Sequence, residues 1–209
     1  MEQTIAPLRV EHALIEVERE RFPGWQAPSA IGMEFSDLSD REEREWQLSD
    51  KIVCGSSFVR DAIEACGGPK GRCIVVPYGV DQRFRLPPRP AHGGPLRVLT
   101  VGGVGLRKGT QYLLAAAQAL QGRATFRLVG SLECEPAAAD ELRDWVELIG
   151  SVPHALMLQH FAWADAFLLP SLCEGSATAI YEALSASLPV ICTENCGSIA
   201  RDRDSGRSG

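Results

Sequence analysis

Between Ala166 and Thr193 the chain alternates in a way that few folds can accommodate. Ala166-Phe167-Leu168-Leu169 is a short apolar run stopped by Pro170-Ser171. Leu172-Cys173-Glu174-Gly175-Ser176 makes a turn, and Ala177 to Ser187 has the composition of a helix. Leu188-Pro189 ends that helix, and Val190-Ile191-Cys192-Thr193 is a second β-type run. Strand, loop, helix, strand is the unit from which parallel sheets are built. Glu174 on the loop and Glu182 inside the helix stand eight positions apart, a little over two turns at about 3.6 residues per turn. One carboxylate is thereby expected at the mouth of the helix and the other along its flank. Between them Gly175, Ser176 and Ala177 are expected to offer the free amides of a helix N-terminus. That geometry suits an anion with hydroxyl groups beside it, the two features of a sugar diphosphate.

The rest of the chain keeps the same alternation. Val10 to Arg21 has helical composition, with Leu14, Ile15 and Val17 as its apolar side. Phe22 to Phe35 contains Pro23, Gly24, Pro28 and Gly32 and predicts mostly loop. Ser39-Asp40-Arg41-Glu42 has capping-box spacing ahead of a helix through Leu48. Lys51 to Cys54 and Cys73 to Val76 predict strands on either side of a helix over Phe58 to Cys66, capped by Ser56 or Ser57 and ended by Gly67-Gly68-Pro69. Five prolines from Pro77 to Pro95, with Gly93-Gly94, predict a linker, and the domain boundary falls near Arg89. Beyond it, Leu96 to Val101 is an apolar strand without strict alternation, as expected when both faces are covered. Gly102 to Gly109 is a glycine-rich loop, Thr110 to Leu120 a helix and Thr125 to Val129 a strand. Asp140 to Leu148 mixes a short helix with a possible strand, and Pro153 to Ala162 reads as helix. Strands alternating with helices predict an α/β chain with a parallel, doubly wound sheet.

Composition removes several classes of function. A net charge of −6 with scattered basic residues argues against a nucleic-acid surface. Trp25, Trp46, Trp145 and Trp163 are not interleaved with basic residues, so base stacking has no support either. No segment approaches the roughly 20 apolar residues that span a bilayer, and Glu2, Glu11, Glu16, Glu18 and Glu20 are wrong for a signal peptide. Seven cysteines contain no CxxC pair, which predicts free thiols in a reducing cytoplasm rather than disulfides or zinc. His92, His154 and His160 share no metal-ligand spacing, and His12 on a helix reads as surface.

The glycine-rich loop narrows the chemistry. After Gly103-x-Gly105, Lys108 stands where a dinucleotide fingerprint needs its third glycine, and Val129 leads to Gly130-Ser131 rather than to the expected acid. A P-loop needs Gly-Lys-Ser/Thr, whereas the order here is Lys108-Gly109-Thr110. A third reading is a phosphate-binding loop whose end presents Arg107 and Lys108 just before a helix. The bland alternative is a solvated basic pair on a surface turn. Ser176 reads first as a helix N-cap, and Thr178 has a modest claim to a phosphate contact.

Glu174 and Glu182 resemble the Glu-x7-Glu signature of retaining family 4 glycosyltransferases of the GT-B fold. Trp163-Ala164-Asp165, Leu169-Pro170-Ser171, Glu174-Gly175, Glu182-Ala183-Leu184 and Pro189-Val190 agree with the flanking pattern. Ser49-Asp50-Lys51-Ile52, Ser56-Ser57-Phe58-Val59 and Val76-Pro77-Tyr78-Gly79-Val80-Asp81 resemble the last third of such a family's N-terminal domain. The resemblance implies a partial N-terminal, acceptor-side Rossmann-like domain with linker (1–88), a doubly wound parallel donor-binding domain (89–200), and a disordered tail (201–209). Ser198 stands where the family has a Glu, and the closing strand and helices are missing, so a truncated chain or fragment is expected.

By the same resemblance, the chain transfers a sugar from a nucleotide-sugar donor to an acceptor (a saccharide, a lipid-linked or a small molecule) with retention. Lys108 matches the family's lysine, and Arg107 takes over from the family's arginine position, which Gly103 occupies. These cations hold the diphosphate, Glu174 orients the donor sugar, and Glu182 accepts from the ribose. Gly175, Ser176, Ala177, Thr178 and Gly103 line the donor. The resemblance implies no cofactor and no metal, no nucleic-acid partner and no transmembrane segment, and it leaves room for peripheral membrane contact. The alternative is a catalytically incomplete fragment that binds a nucleotide or sugar phosphate without turnover, or an unstable fragment.

Overall fold

A computed structural model describes residues 1–26, 35–87 and 92–197. The expected boundary at Arg89 and the tail at 201–209, with Ser198, lie outside the described residues. Two parallel sheets form. The first is β1 (Glu2–Gln3), β2 (Ile52–Cys54) and β3 (Cys73–Val75), in that order. The second is ordered β6-β5-β4-β7-β8, from β4 (Leu96–Val101), β5 (Ala124–Val129), β6 (Val146–Gly150), β7 (Ala166–Leu169) and β8 (Val190–Cys192). The connecting helices are α1 (Leu8–Arg21), α2 (Phe35–Leu48), α3 (Ser57–Ala65), α4 (Thr110–Ala119), α5 (Pro136–Arg143), α6 (Met157–Trp163) and α7 (Thr178–Ser185). This is the Rossmann-like, doubly wound parallel arrangement expected for the GT-B fold, with a smaller parallel sheet preceding it in the chain. No helix among the described residues is long and apolar enough to cross a membrane.

The apolar strand β4 shows why its sequence does not alternate. Val98 belongs to the core under α4 and α5 with Leu113, Phe126, Leu128 and Leu142. Its neighbour Leu99 joins the opposite core with Phe161, Phe167, Leu169 and Ile180. Adjacent side chains of a strand point to opposite faces, so a sheet covered on both sides needs apolar residues at every position. A third, smaller core joins Trp46, Ile52, Cys54, Val59 and Ile63 under the first sheet.

Several local expectations change in three dimensions. Helix α2 begins at Phe35, so Ser39 sits buried within it and the capping box does not form. Glu42 instead accepts from the Leu8 amide at 2.9 Å and the Gln3 amide side chain at 2.7 Å, so it caps α1 rather than its own helix. Burial still pushes its carboxyl above the usual range, against those two bonds. Strand β1 has only two residues and no apolar period to announce it; pairing with β2 creates it. The span 140–148 resolves into the end of α5 and the start of β6, and the predicted Pro153–Ala162 helix splits into a 3-10 turn at His154–Leu156 and α6. Ser56, by contrast, caps α3 as expected, through the Val59 amide.

One consequence of this packing is measurable. His160 of α6 is buried, and neither ring nitrogen has a partner among the described residues. Burial, helped by Arg127, lowers its pKa below the ordinary histidine value. In the unfolded chain the ring takes up a proton near pH 6.5, whereas the folded chain resists it until lower pH. Stability therefore rises with pH across that window, and falls as the medium is acidified below about 6.5. Thermal melts at several pH values between about 5 and 8 are expected to show a smaller acid loss for His160→Leu than for the native chain. Equal pH dependence in both would remove His160 as the cause.

Candidate functional site

Strands β4 and β7 lie side by side at the centre of the second sheet, paired at Val98–Ala166 and Leu99–Phe167. After β4 the chain turns toward β5, and after β7 toward β8, on the other side. The two loops diverge and open a crevice beyond the carboxyl ends of the strands, where doubly wound sheets bind ligands. The loops are also tied together: the Leu172 amide donates to the Arg107 carbonyl at 2.8 Å. Gly109 permits the contact. It adopts φ +68°, and a Cβ there would stand 1.9 Å from the Pro170 carbonyl oxygen. A side chain at that position is excluded twice over.

This tie brings the charges together. Lys108 Nζ lies 2.6 Å from Glu174 Oε1, and Arg107 Nη1 lies 3.2 Å from Oε2. The carboxylate is only 9% exposed, so ionisation without the two cations would be costly. Glu11 of α1 shares the neighbourhood: burial raises its carboxyl pKa, while Arg107 and Lys108 work against the rise and Glu174 adds to it. Burial also pushes the Cys173 thiol up to about 12, which makes it a poor nucleophile at neutral pH.

The loop from Glu174 to Ala177 is held from several sides. The Glu174 amide donates to the Asn195 carbonyl at 2.9 Å and the Ala177 amide to the Cys196 carbonyl at 3.2 Å. Ala177 is thus not one of the free donors expected at the helix start, because the loop after β8 claims it. Nor does Ser176 cap α7. Ala177 occupies the cap position without a side-chain bond, and the Ser176 hydroxyl pairs with Tyr181 Oη at 2.9 Å. From the first half, the Ser56 hydroxyl donates to the Gly175 carbonyl.

A cleft of ≈ 540 Å³ runs beside this cluster, lined by Arg107, Lys108, Glu174, Gly175, Ser176, Ala177 and Thr178, together with Gly102. Thr4, Ile5 and Tyr78 close it from the first half. Sequence reasoning missed Thr4 and Ile5, which follow a strand too short to show periodicity; Tyr78 was visible only as part of the turn after β3. Gly102 lines the cleft, whereas Gly103 lies against the Glu133 carboxylate, 2.2 Å from where a Cβ would sit. Glu182 is held separately: His154 Nε2 approaches its Oε1 at 3.0 Å, and its side chain is 14% exposed. His12 stacks on Phe35 with ring centroids 4.0 Å apart and lies 3.7 Å from Glu16.

Residues 95–209 match the protein family described as Glycosyl transferases group 1. The amylovoran biosynthesis glycosyltransferase AmsK of Erwinia amylovora is 32% identical over 148 residues, 64% of this chain and 36% of that protein. The putative colanic acid biosynthesis glycosyltransferase WcaL of Escherichia coli (strain K12) is 28% identical over 186 residues, 77% of this chain and 46% of that protein. The chain thus spans between about a third and a half of the length of these curated relatives. Among solved structures, Anabaena Alr3699/HepE in complex with UDP and glucose superposes with a TM-score of 0.64 at 16% identity, over 81% of this chain and 51% of that one. The apo lipopolysaccharide outer core galactosyltransferase WaaB gives 0.61 at 23%, over 78% and 48%. At these identities the structures speak to the fold.

The contact between halves has its own test. A Cβ on Gly175 would stand 1.8 Å from the Thr4 carbonyl oxygen, whereas one on Gly79 would meet nothing within 4 Å. Gly175→Ala is expected to destabilise by about 1–3 kcal/mol through overpacking, and Gly79→Ala to leave the melting temperature nearly unchanged. Equal effects in chemical denaturation would show that Thr4 does not abut Gly175 in solution.

Proposed function

The chain belongs to the Glycosyl transferases group 1 family, and from that premise we propose that it contributes the donor site of a retaining glycosyltransferase of family 4 that uses a nucleotide sugar. The observation that carries this reading is the meeting of Lys108 and Arg107 with Glu174 at 2.6 and 3.2 Å, beside a cleft at the switch point of the sheet. The named complex of HepE with UDP and glucose supports a nucleotide-sugar donor and makes UDP the first candidate.

In the unliganded arrangement Glu174 pairs with both cations and offsets one of their two charges. A diphosphate carries more charge than one carboxylate and offers more acceptor oxygens, so its arrival draws Lys108 and Arg107 away from Glu174. The freed carboxylate then accepts from a hydroxyl of the donor sugar. As the glycosidic bond lengthens, negative charge grows on the leaving diphosphate, and the two cations stabilise it more in the transition state than in the ground state. Glu182 accepts from the ribose. Departure followed by attack on the same face retains the anomeric configuration without a carboxylate nucleophile. The acceptor is a saccharide, lipid-linked or small-molecule hydroxyl. The seven cysteines form no disulfide among the described residues, which supports a reducing, cytoplasmic setting.

A second reading is donor binding without turnover, which the same cations and cleft lining support equally. Calorimetric titration with UDP, GDP and ADP addresses the common ground of both. One nucleotide is expected to bind saturably, and Lys108→Ala to weaken it by about tenfold or more, about 1.4 kcal/mol. Glu174→Gln, which removes the competing charge, is expected to tighten the free diphosphate roughly threefold or more. A folded chain that binds none of the three would overturn the donor-site reading. Release of the nucleotide from a bound nucleotide sugar on addition of acceptor would separate transfer from binding alone.

A further inference from the structure

Resting on the donor-site reading, we infer that His154 is a positioning residue for Glu182 and thereby determines how strongly the site selects a ribose over a deoxyribose. Glu182 of α7 has only 14% of its side chain exposed, and His154 Nε2 lies 3.0 Å from its Oε1. An ionised carboxylate only accepts, so Nε2 carries the proton in this contact. With Oε1 engaged, Oε2 and the remaining lone pairs stay available to the two hydroxyls of a ribose.

His154 is itself placed by the segment that joins the two halves. Its ring packs on Phe84 at 5.4 Å between centroids, and Phe84 is buried edge-on against Phe161 at 5.4 Å. Phe84 ends the 3-10 turn Gln82–Phe84, whose cap is Asp81. The Asp81 carboxyl is held below its usual range chiefly by Arg83, and to a lesser degree by His154. The imidazole thus bridges the linker and α7. With 59% of its side chain exposed, it contributes little to folding as an ion pair. Its effect falls on the direction of Glu182, a side chain that otherwise samples several rotamers.

The test measures, by calorimetry on the full chain, the affinity of UDP, GDP and ADP, each against its 2′-deoxy form. For the nucleotide that binds, the native chain is expected to favour the ribose form by about tenfold, in the range of one lost hydrogen bond to a charged group. His154→Phe keeps a ring against Phe84 but has no donor, and is expected to reduce that preference to about twofold or less. His154→Gln returns an N–H near the same place and is expected to restore most of it. In a Glu182→Gln background, His154→Phe should have no further effect on the ratio. An unchanged ribose preference in His154→Phe, with melting temperature preserved, would overturn the inference and leave the donor site intact. So would full additivity of the two substitutions. Absence of binding by all six nucleotides to the native chain would overturn the donor-site reading and this inference with it.

Discussion

The parallel pairing of β4 with β7 is the constraint on which the rest depends. Because the chain leaves these neighbouring strands in opposite directions, a crevice opens beyond their ends, and the loops that border it must stabilise one another. The Leu172–Arg107 backbone bond and the passage of Pro170 over Gly109 do so. They also carry Lys108 and Glu174 into contact from positions 66 residues apart in the chain. Closure of the loops and assembly of the charged cluster are therefore one event.

That cluster is internally paired rather than open. In a partly desolvated crevice an unpaired cation or carboxylate would be expensive, and two cations against one carboxylate leave a single positive excess. Glu11 nearby offsets part of it at the cost of its own ionisation, which burial already disfavours. Under the donor binding proposed above, the ligand replaces an internal partner, and its affinity reflects the difference between the two. Overall charge carries no information about this: the chain is acidic at −6, and the Arg107–Lys108 pair is local.

The two halves are more interlocked than a boundary in the linker implies. Ile15, Phe22 and Trp25, from the N-terminal portion, pack in the core under α4 and α5. Glu18 of α1 is buried where it accepts from Gln111 at 2.9 Å and from Tyr112 Oη at 2.8 Å, both on α4, and from Arg21 at 2.8 Å. Ser56 reaches the Gly175 carbonyl from the other direction. Thr4, Ile5 and Tyr78 line the same cleft as the loops after β4 and β7. Mutations in α1 thus act on the site through packing as well as through Glu11.

What the sequence alone determined is whatever repeats over a few residues. The apolar runs of β4, β5 and β7, the helix ends at Gly67 and Pro189, and the spacing of Glu174 and Glu182 are one-dimensional patterns set by the periods of strand and helix. They suffice for the parallel, doubly wound fold and for most of the residues that line the cleft. Tertiary structure decided who pairs with whom. Glu42 fits a capping box by spacing, yet the α1 amide and Gln3 compete for it and win. The Ala177 amide looks free until the loop after β8 arrives with the Cys196 carbonyl, and Ser176 looks like a cap until Tyr181 faces it. Strand β1 exists only because β2 offers an edge. His154 and Glu182 meet across 28 residues. Such contacts arise when distant segments are folded together, and the free energy of a buried polar group depends on that final neighbourhood, which no local period records.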